Sequence, residues 1–216
     1  MSSAQLSASR PLISAAPPSR AFVPVVFALW FALAFWLGRN GWFVTPQGTP
    51  PFPILIAVLA PISLFVVAYF TSRKVRDLVL TADVPLITSL HAFRFVGFSF
   101  LGFYAAGLLP GRFAWPAALG DMAIAVTAPF LARAVLDQPK LIAGRIFVRW
   151  NLFGIADFIV AVGMGAIAPL IFPGARPAGG AVTILAQLPL SLIPTYFVPM
   201  FTIFHVVALI RARHAR

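Results

Sequence analysis

The sequence predicts an all-α integral membrane protein, a bundle of six transmembrane helices with both termini in the cytoplasm. Three observations carry this expectation. Hydrophobic residues make up 61% of the 216 and charged residues only 10%, against about 25% charged residues in a soluble domain. Apolar stretches long enough to cross a bilayer recur six times, and a span needs roughly 20 residues. Lys and Arg are concentrated in alternate connecting segments, which is the signature of orientation in a membrane.

Taken in order, residues 1–20 are polar and rich in Ser, Ala and Pro, and read as a disordered cytoplasmic segment. An apolar run over 21–37 follows. Gly38, Arg39 and Asn40 come next without a small-residue cleavage site, so the run reads as a retained first helix and not as a signal peptide. The other spans are expected at about 52–70, 84–108, 116–135, 147–172 and 182–210. The last is too long for one straight crossing, and a short interfacial piece near 181–188 is expected to begin it. Residues 211–216 form a basic cytoplasmic tail whose arginines attract anionic lipid.

The odd-side segments hold twelve basic residues: Arg10, Arg20, Arg73, Lys74, Arg76, Arg133, Lys140, Arg145, Arg149, Arg211, Arg213 and Arg216. The opposite side holds three, Arg39, Arg112 and Arg176. This asymmetry sets the cytoplasmic side. Trp36, Trp42 and Trp115 are expected at the outer interface and Trp150 at the inner one. The net charge of +11 therefore reads as topology, and nucleic acid is not an expected partner.

Composition removes several chemistries. The chain has no Cys, which excludes disulfides, thiolate metal sites and iron–sulfur clusters. It has no Glu, so an HExxH zinc site or a Glu-based di-iron cluster is impossible, and the acids are Asp77, Asp83, Asp121, Asp137 and Asp157. Gly163-x-Gly165-x-x-Ala168 has the letters of a dinucleotide loop but lies inside an apolar span with no preceding strand. No Walker motif or nucleophile elbow is present, so catalysis is not expected.

Polar groups at bilayer depth are costly and must face the bundle and find partners. The set is His91, Arg94, Asp121, Asn151, Asp157 and His205. Counting helical rise of about 1.5 Å per residue from the expected boundaries puts His91, His205 and Asn151 in the inner third and Arg94 and Asp157 at the midplane. Asp121 falls in the outer half. Arg cannot shed its charge, so Arg94 needs a carboxylate, and Asp157 is the acid at its depth. Asp121-Met-Ala-Ile-Ala-Val and Asp157-Phe-Ile-Val-Ala-Val share a pattern on adjacent helices and could echo an inverted repeat. Pro189, Pro194 and Pro199 are expected to bend the last helix ahead of His205. Gly102 with Ala106, and Ala161 with Gly165, are small-residue pairs that allow close helix contact within one chain or between protomers.

Gly107-Leu-Leu-Pro-Gly-Arg-Phe-Ala-Trp-Pro-Ala-Ala-Leu-Gly-Asp121, continuing to Ala128-Pro129, resembles a group of uncharacterised bacterial six-helix membrane proteins. Trp150-Asn151-x-x-Gly154-x-x-Asp157 and the Pro-rich last helix with His205 fit the same resemblance, which covers residues 84–210. It implies a bacterial cytoplasmic (inner) membrane and no assigned function.

Three functional readings fit the sequence. The leading one is a non-catalytic component of a membrane complex, with membrane lipids, copies of itself or other membrane subunits as partners. The second is a small transporter or channel using Arg94 and Asp157, with Asn151 and Asp121 as further pathway candidates. The third is a membrane cytochrome in which His91 and His205 ligate a b-type haem from its two faces, with Gly97 and Gly154 making room for the ring.

Overall fold

The computed structural model describes residues 22–46, 49–171 and 184–216. Every regular element among them is helical. Six helices are long and apolar enough to cross a membrane: Phe22–Arg39, Phe52–Thr71, Val84–Ala105, Gly111–Asp137, Arg145–Ala166 and Ile193–His214. The chain is thus a multi-pass membrane protein by length and composition. Leu29, Leu64, Phe70, Phe93, Phe130, Ile146 and Ile159 lie on the outside of the bundle, a surface that suits hydrocarbon and not water. Residues 1–20, expected to be disordered, lie outside the described residues.

The first span is α1 (Phe22–Arg39) and the second is α2 (Phe52–Thr71), which carries Pro61 in its interior. The basic segment after it, read from sequence as a loop, folds as a short helix, α3 (Arg73–Leu80). Ser72 caps it by accepting a hydrogen bond from the Val75 amide at 3.4 Å. Its Arg73, Lys74, Arg76 and Asp77 are exposed, while Val79 is buried against Ile203 and Val207 of the last span. Two apolar residues four apart, amid charge, suffice for this amphipathic turn.

The third span is composite. Asp83 starts α4 (Val84–Leu90) by accepting from the Leu86 amide at 3.0 Å. A 3-10 segment follows over His91–Phe98, and α5 (Ser99–Ala105) completes the crossing. It ends three residues short of the expected Leu108, where Gly107 turns the chain with a φ of 71°. Three residues per turn keeps i and i+3 side chains in line. His91, Arg94 and Gly97 are the buried residues of this segment, so the 3-10 pitch points all three into the bundle.

The fourth span, α6 (Gly111–Asp137), starts five residues earlier than expected, with Pro110 at its N-cap and Pro116 inside it. Its buried face includes Ala114, Ala117, Ala118, Gly120, Ala125, Ala128 and Ala132. Such small side chains let neighbouring backbones approach, and α6 is the centre against which the third and fifth spans pack. The fifth span is α7 (Arg145–Ile171).

The chain over 186–191 runs as a series of turns. Residues 182–183 of the expected last span lie outside the described residues. The sixth crossing begins with a π-helical turn at Ile193–Phe197 that contains Pro194, and continues as α8 (Val198–His214), with Pro199 in its first turn. The helix therefore absorbs most of the basic tail.

Alternate spans run in opposite directions. Val84, Val135, Phe147, Ala208 and Ala212 form one cluster that joins the starts of the third and fifth spans to the ends of the fourth and sixth. Along α1, Phe27 meets Phe204, Trp30 meets Tyr196 and Gly38 abuts Ser191. We refer to the end of the bundle with Val84 and Ala212 as the basic end. The Gly102 face of α5 has open space beside it, whereas a Cβ added to Gly165 of α7 would lie 3.9 Å from the Phe113 ring.

Candidate functional site

Arg94 is 3% exposed and lies at the centre of the bundle. Each part of its guanidinium is engaged. Nε donates to Asp121 Oδ1 at 2.7 Å, and Nη2 donates to Asp157 Oδ2. Nη1 faces His205 Nε2 at 3.2 Å and the Gly154 carbonyl at 3.5 Å. Beneath the plane lies the Phe158 ring, 3.9 Å from Arg94 Cζ to the centroid, a desolvated cation–π contact. One side chain thus joins four spans.

The Arg94–Asp157 pairing expected from depth is present, but Asp157 is not the sole partner. The expectation that Asp121 sits apart in the outer half is corrected. Because α6 starts at Gly111 and not at residue 116, Asp121 is roughly 15 Å along it and level with Arg94. The two aspartates that share a sequence pattern meet on one guanidinium.

The hydrogen-bond chain behind Arg94 fixes the state of His205. Asn151 Nδ2 donates to the Phe147 carbonyl at 2.9 Å, which makes Asn151 Oδ1 the acceptor. His205 Nδ1 lies 2.9 Å from that oxygen, so it carries the hydrogen. His205 Nε2 is then free to accept from Arg94 Nη1. His205 is consequently a neutral imidazole whose two nitrogens are both committed.

Three glycines make these approaches possible. A Cβ on Gly97 would collide with the Asp121 carboxylate, one on Gly120 with that of Asp157, and one on Gly154 with the His205 ring. Gly97 and Gly154, expected to clear space for a flat cofactor, instead seat side chains of the cluster.

His91 is 1% exposed and stacks on His205, with 3.9 Å between centroids and 24° between planes. Trp150, Phe201 and Phe204 surround it. Neither of its ring nitrogens has a protein partner, and the same is true of Thr88 Oγ1 one turn earlier. Trp150, expected as an interface anchor, packs against both histidines and donates from Nε1 to Thr127 Oγ1 at 2.8 Å.

On the far side of Arg94 from the histidines lies a cavity of about 60 Å³. Asp121 and Asp157 form part of its wall together with Phe100, Phe113, Leu185 and Ile193. A buried water needs about 10–15 Å³, so the space is large enough for several, and the two carboxylates are the polar groups on an otherwise largely apolar wall. Phe113 in the first turn of α6 and Leu185 before the last span place the cavity toward the end opposite the basic one.

Residues 51–213 match the family described as Domain of unknown function (DUF8737). The chain belongs to this family. The DUF8737 match begins next to α2 and ends within the last turns of α8, so it contains every residue of the Arg94 cluster while α1 lies outside it. It also extends beyond the 84–210 stretch that carries the sequence resemblance. No curated protein and no solved structure matches the chain.

The geometry of the DUF8737 histidines does not fit a haem. An axial pair aims one nitrogen from each ring at a common iron between them. His91 and His205 lie face to face in contact, which leaves no slot for a macrocycle, and His205 Nε2 and Nδ1 are already taken. Sequence reasoning singled out His91, Arg94, Asn151, Asp157 and His205 as one group and Asp121 apart from them, and the structure brings all six together. It missed Phe158, Gly120, Thr88 and the inward role of Trp150, each of which is ordinary by residue type and is defined by its neighbours.

Proposed function

We propose that the chain is a small membrane transporter whose exchange site is the Arg94–Asp121–Asp157 cluster. The observation that supports this is the pairing of two carboxylates with one guanidinium at the wall of a cavity. With His205 neutral, two ionised aspartates leave the cluster one positive charge short. An unbalanced charge at that depth costs several kcal/mol. A pair that served packing alone would need one carboxylate. The second gives the cluster a place for a proton or a small cation arriving through the cavity, and its departure restores the starting charge.

The orientation belongs to the same proposal. Arg73, Lys74, Arg76, Arg133, Lys140, Arg145 and Arg149 flank one end of the bundle, and Arg211, Arg213 and Arg216 follow there, whereas Arg39 and Arg112 lie at the other. By the positive-inside rule we read the basic end as cytoplasmic, an N-in, C-in arrangement, and the sequence resemblance supports a bacterial inner membrane as its place.

Reconstitution tests the transporter reading. Protein in sealed liposomes, with a pH-sensitive dye inside and a potassium or sodium gradient, is expected to dissipate the gradient faster than empty liposomes. Asp121→Asn and Asp157→Asn are each expected to abolish the flux. Flux equal to that of empty liposomes under proton, sodium and potassium gradients would overturn the reading.

A further inference from the structure

The two sides of Arg94 differ in kind. Toward the end opposite the basic one, the cluster faces a cavity with room for water. Toward the basic end it faces His205 and then His91, and beyond His91 no cavity is needed to see an anomaly. Three polar atoms there, Thr88 Oγ1 and both ring nitrogens of His91, are buried without a protein partner. Buried polar groups in folded proteins are nearly always hydrogen-bonded, to protein or to ordered water.

Thr88 departs from the habit of this chain. The helical threonines Thr71, Thr127, Thr195 and Thr202 each donate to the carbonyl four residues back. Thr88 lies inside α4 with that option available and does not take it. The residue is 1% exposed and its hydroxyl is buried without a partner. His91 is one turn further on, at the first position of the 3-10 segment whose pitch carries the line on to Arg94. The contrast with His205 is equally plain, since that ring has a partner on each nitrogen while the ring stacked on it has none.

We infer that Thr88 and His91 bind water, one or two molecules, held on the basic-end side of the Arg94 cluster, opposite the cavity. Thr88 and His91 together offer donors and acceptors to such a water, which requires two to four partners. His91 Nδ1 and Nε2 differ in hydrogen content in the neutral ring, so a water on either side completes them. Thr88 is roughly 6 Å from the start of α4, about one turn of helix inside the basic end. Arg94 then acts as a septum. It keeps its charge at all times, so it separates this water from the cavity on its other side.

The inference rests on the transporter reading for its purpose but not for its test. The chain contains three histidines, His91, His205 and His214. Protein labelled with ¹⁵N-histidine, reconstituted in bilayers, is studied by solid-state NMR with polarisation transferred from water protons to the ring nitrogens at short mixing times. His91→Gln and His205→Gln assign the signals. The expected result is a build-up for His91 close to that of the exposed His214 and several-fold faster than that of His205. Thr88→Val, which keeps the shape and removes the hydroxyl, is expected to slow the His91 build-up several-fold and leave His205 unchanged.

A His91 as slow as His205 overturns the water site. An unaltered His91 build-up in the Thr88→Val variant overturns the part assigned to Thr88. A hydrated His91 in a protein that carries no flux keeps the site and removes the transporter reading. Flux with a dry His91 does the reverse.

Discussion

The imidazoles of His91 and His205 lie in face-to-face contact, 3.9 Å between centroids, yet only His205 is hydrogen-bonded within the protein. Two residues of one type at one depth therefore do different things. His205 holds Arg94 and Asn151 in place, and His91 contributes a ring face and two uncommitted nitrogens.

That difference predicts unequal sensitivity to the same change. His205→Phe leaves Arg94 Nη1 and Asn151 Oδ1 each short of a partner, at about 1–3 kcal/mol for each buried group. His91→Phe strands no protein group and keeps an aromatic face against His205. The expected order of unfolding midpoints in detergent is wild type, then His91→Phe, then His205→Phe, read by a thermal melt. A His91→Phe loss equal to that of His205→Phe would count against the assignment.

Arg94→Ala removes the common partner of Asp121 and Asp157. Breaking a buried pair in this way costs about 3–5 kcal/mol. Arg133→Ala breaks an exposed pair with Asp137, 3.0 Å and one helical turn apart, which is worth about 0.3–0.5 kcal/mol. Arg94→Lys should not rescue, because an ammonium cannot reproduce the planar fork that meets two carboxylates, a histidine and a carbonyl. Chemical denaturation of the three variants checks the ranking, and equal losses for Arg94→Ala and Arg133→Ala would sink it.

Gly120→Ala is predicted to be among the most damaging one-methyl changes, because the Asp157 carboxylate occupies the position of the new Cβ. Gly102→Ala meets nothing within 4 Å and gains helix propensity of up to about 1 kcal/mol. Yield and melting temperature of the folded protein should fall for the first and hold or rise for the second.

A fluorescent protein fused after Arg216 is expected to fluoresce, and alkaline phosphatase at the same point to be inactive, as a cytoplasmic basic end requires. Active phosphatase there would invert the proposed orientation.

Much of this was legible in the sequence for one physical reason. In lipid a polar residue is expensive, so the few at depth stand out from the apolar background, and His91, Arg94, Asp121, Asn151, Asp157 and His205 all belong to one connected column. The level of Asp121 was not legible, because Pro116 looked like a helix start and lies inside α6. Helix α3 was hidden by its charge, which reads as a loop until Val75 and Val79 are seen to share a face. Trp150 could not be told from an interfacial anchor by type, since its partners Thr127, His91 and His205 come from other spans. The glycine seats depend on tertiary contact alone.

Those seats follow the order of the chain. Asp121 of the fourth span rests on Gly97 of the third, Asp157 of the fifth on Gly120 of the fourth, and His205 of the sixth on Gly154 of the fifth. Each of these spans carries a group that lipid penalises, and its receptor is on the span that was synthesised just before. Apolar helices in hydrocarbon have little to stop them from sliding past one another. Here the last three spans are each keyed to the span before at one residue, so a helix among them that slips by a single position loses its notch. The residues of the cluster thus also fix the register between consecutive helices, in the order in which the chain is made.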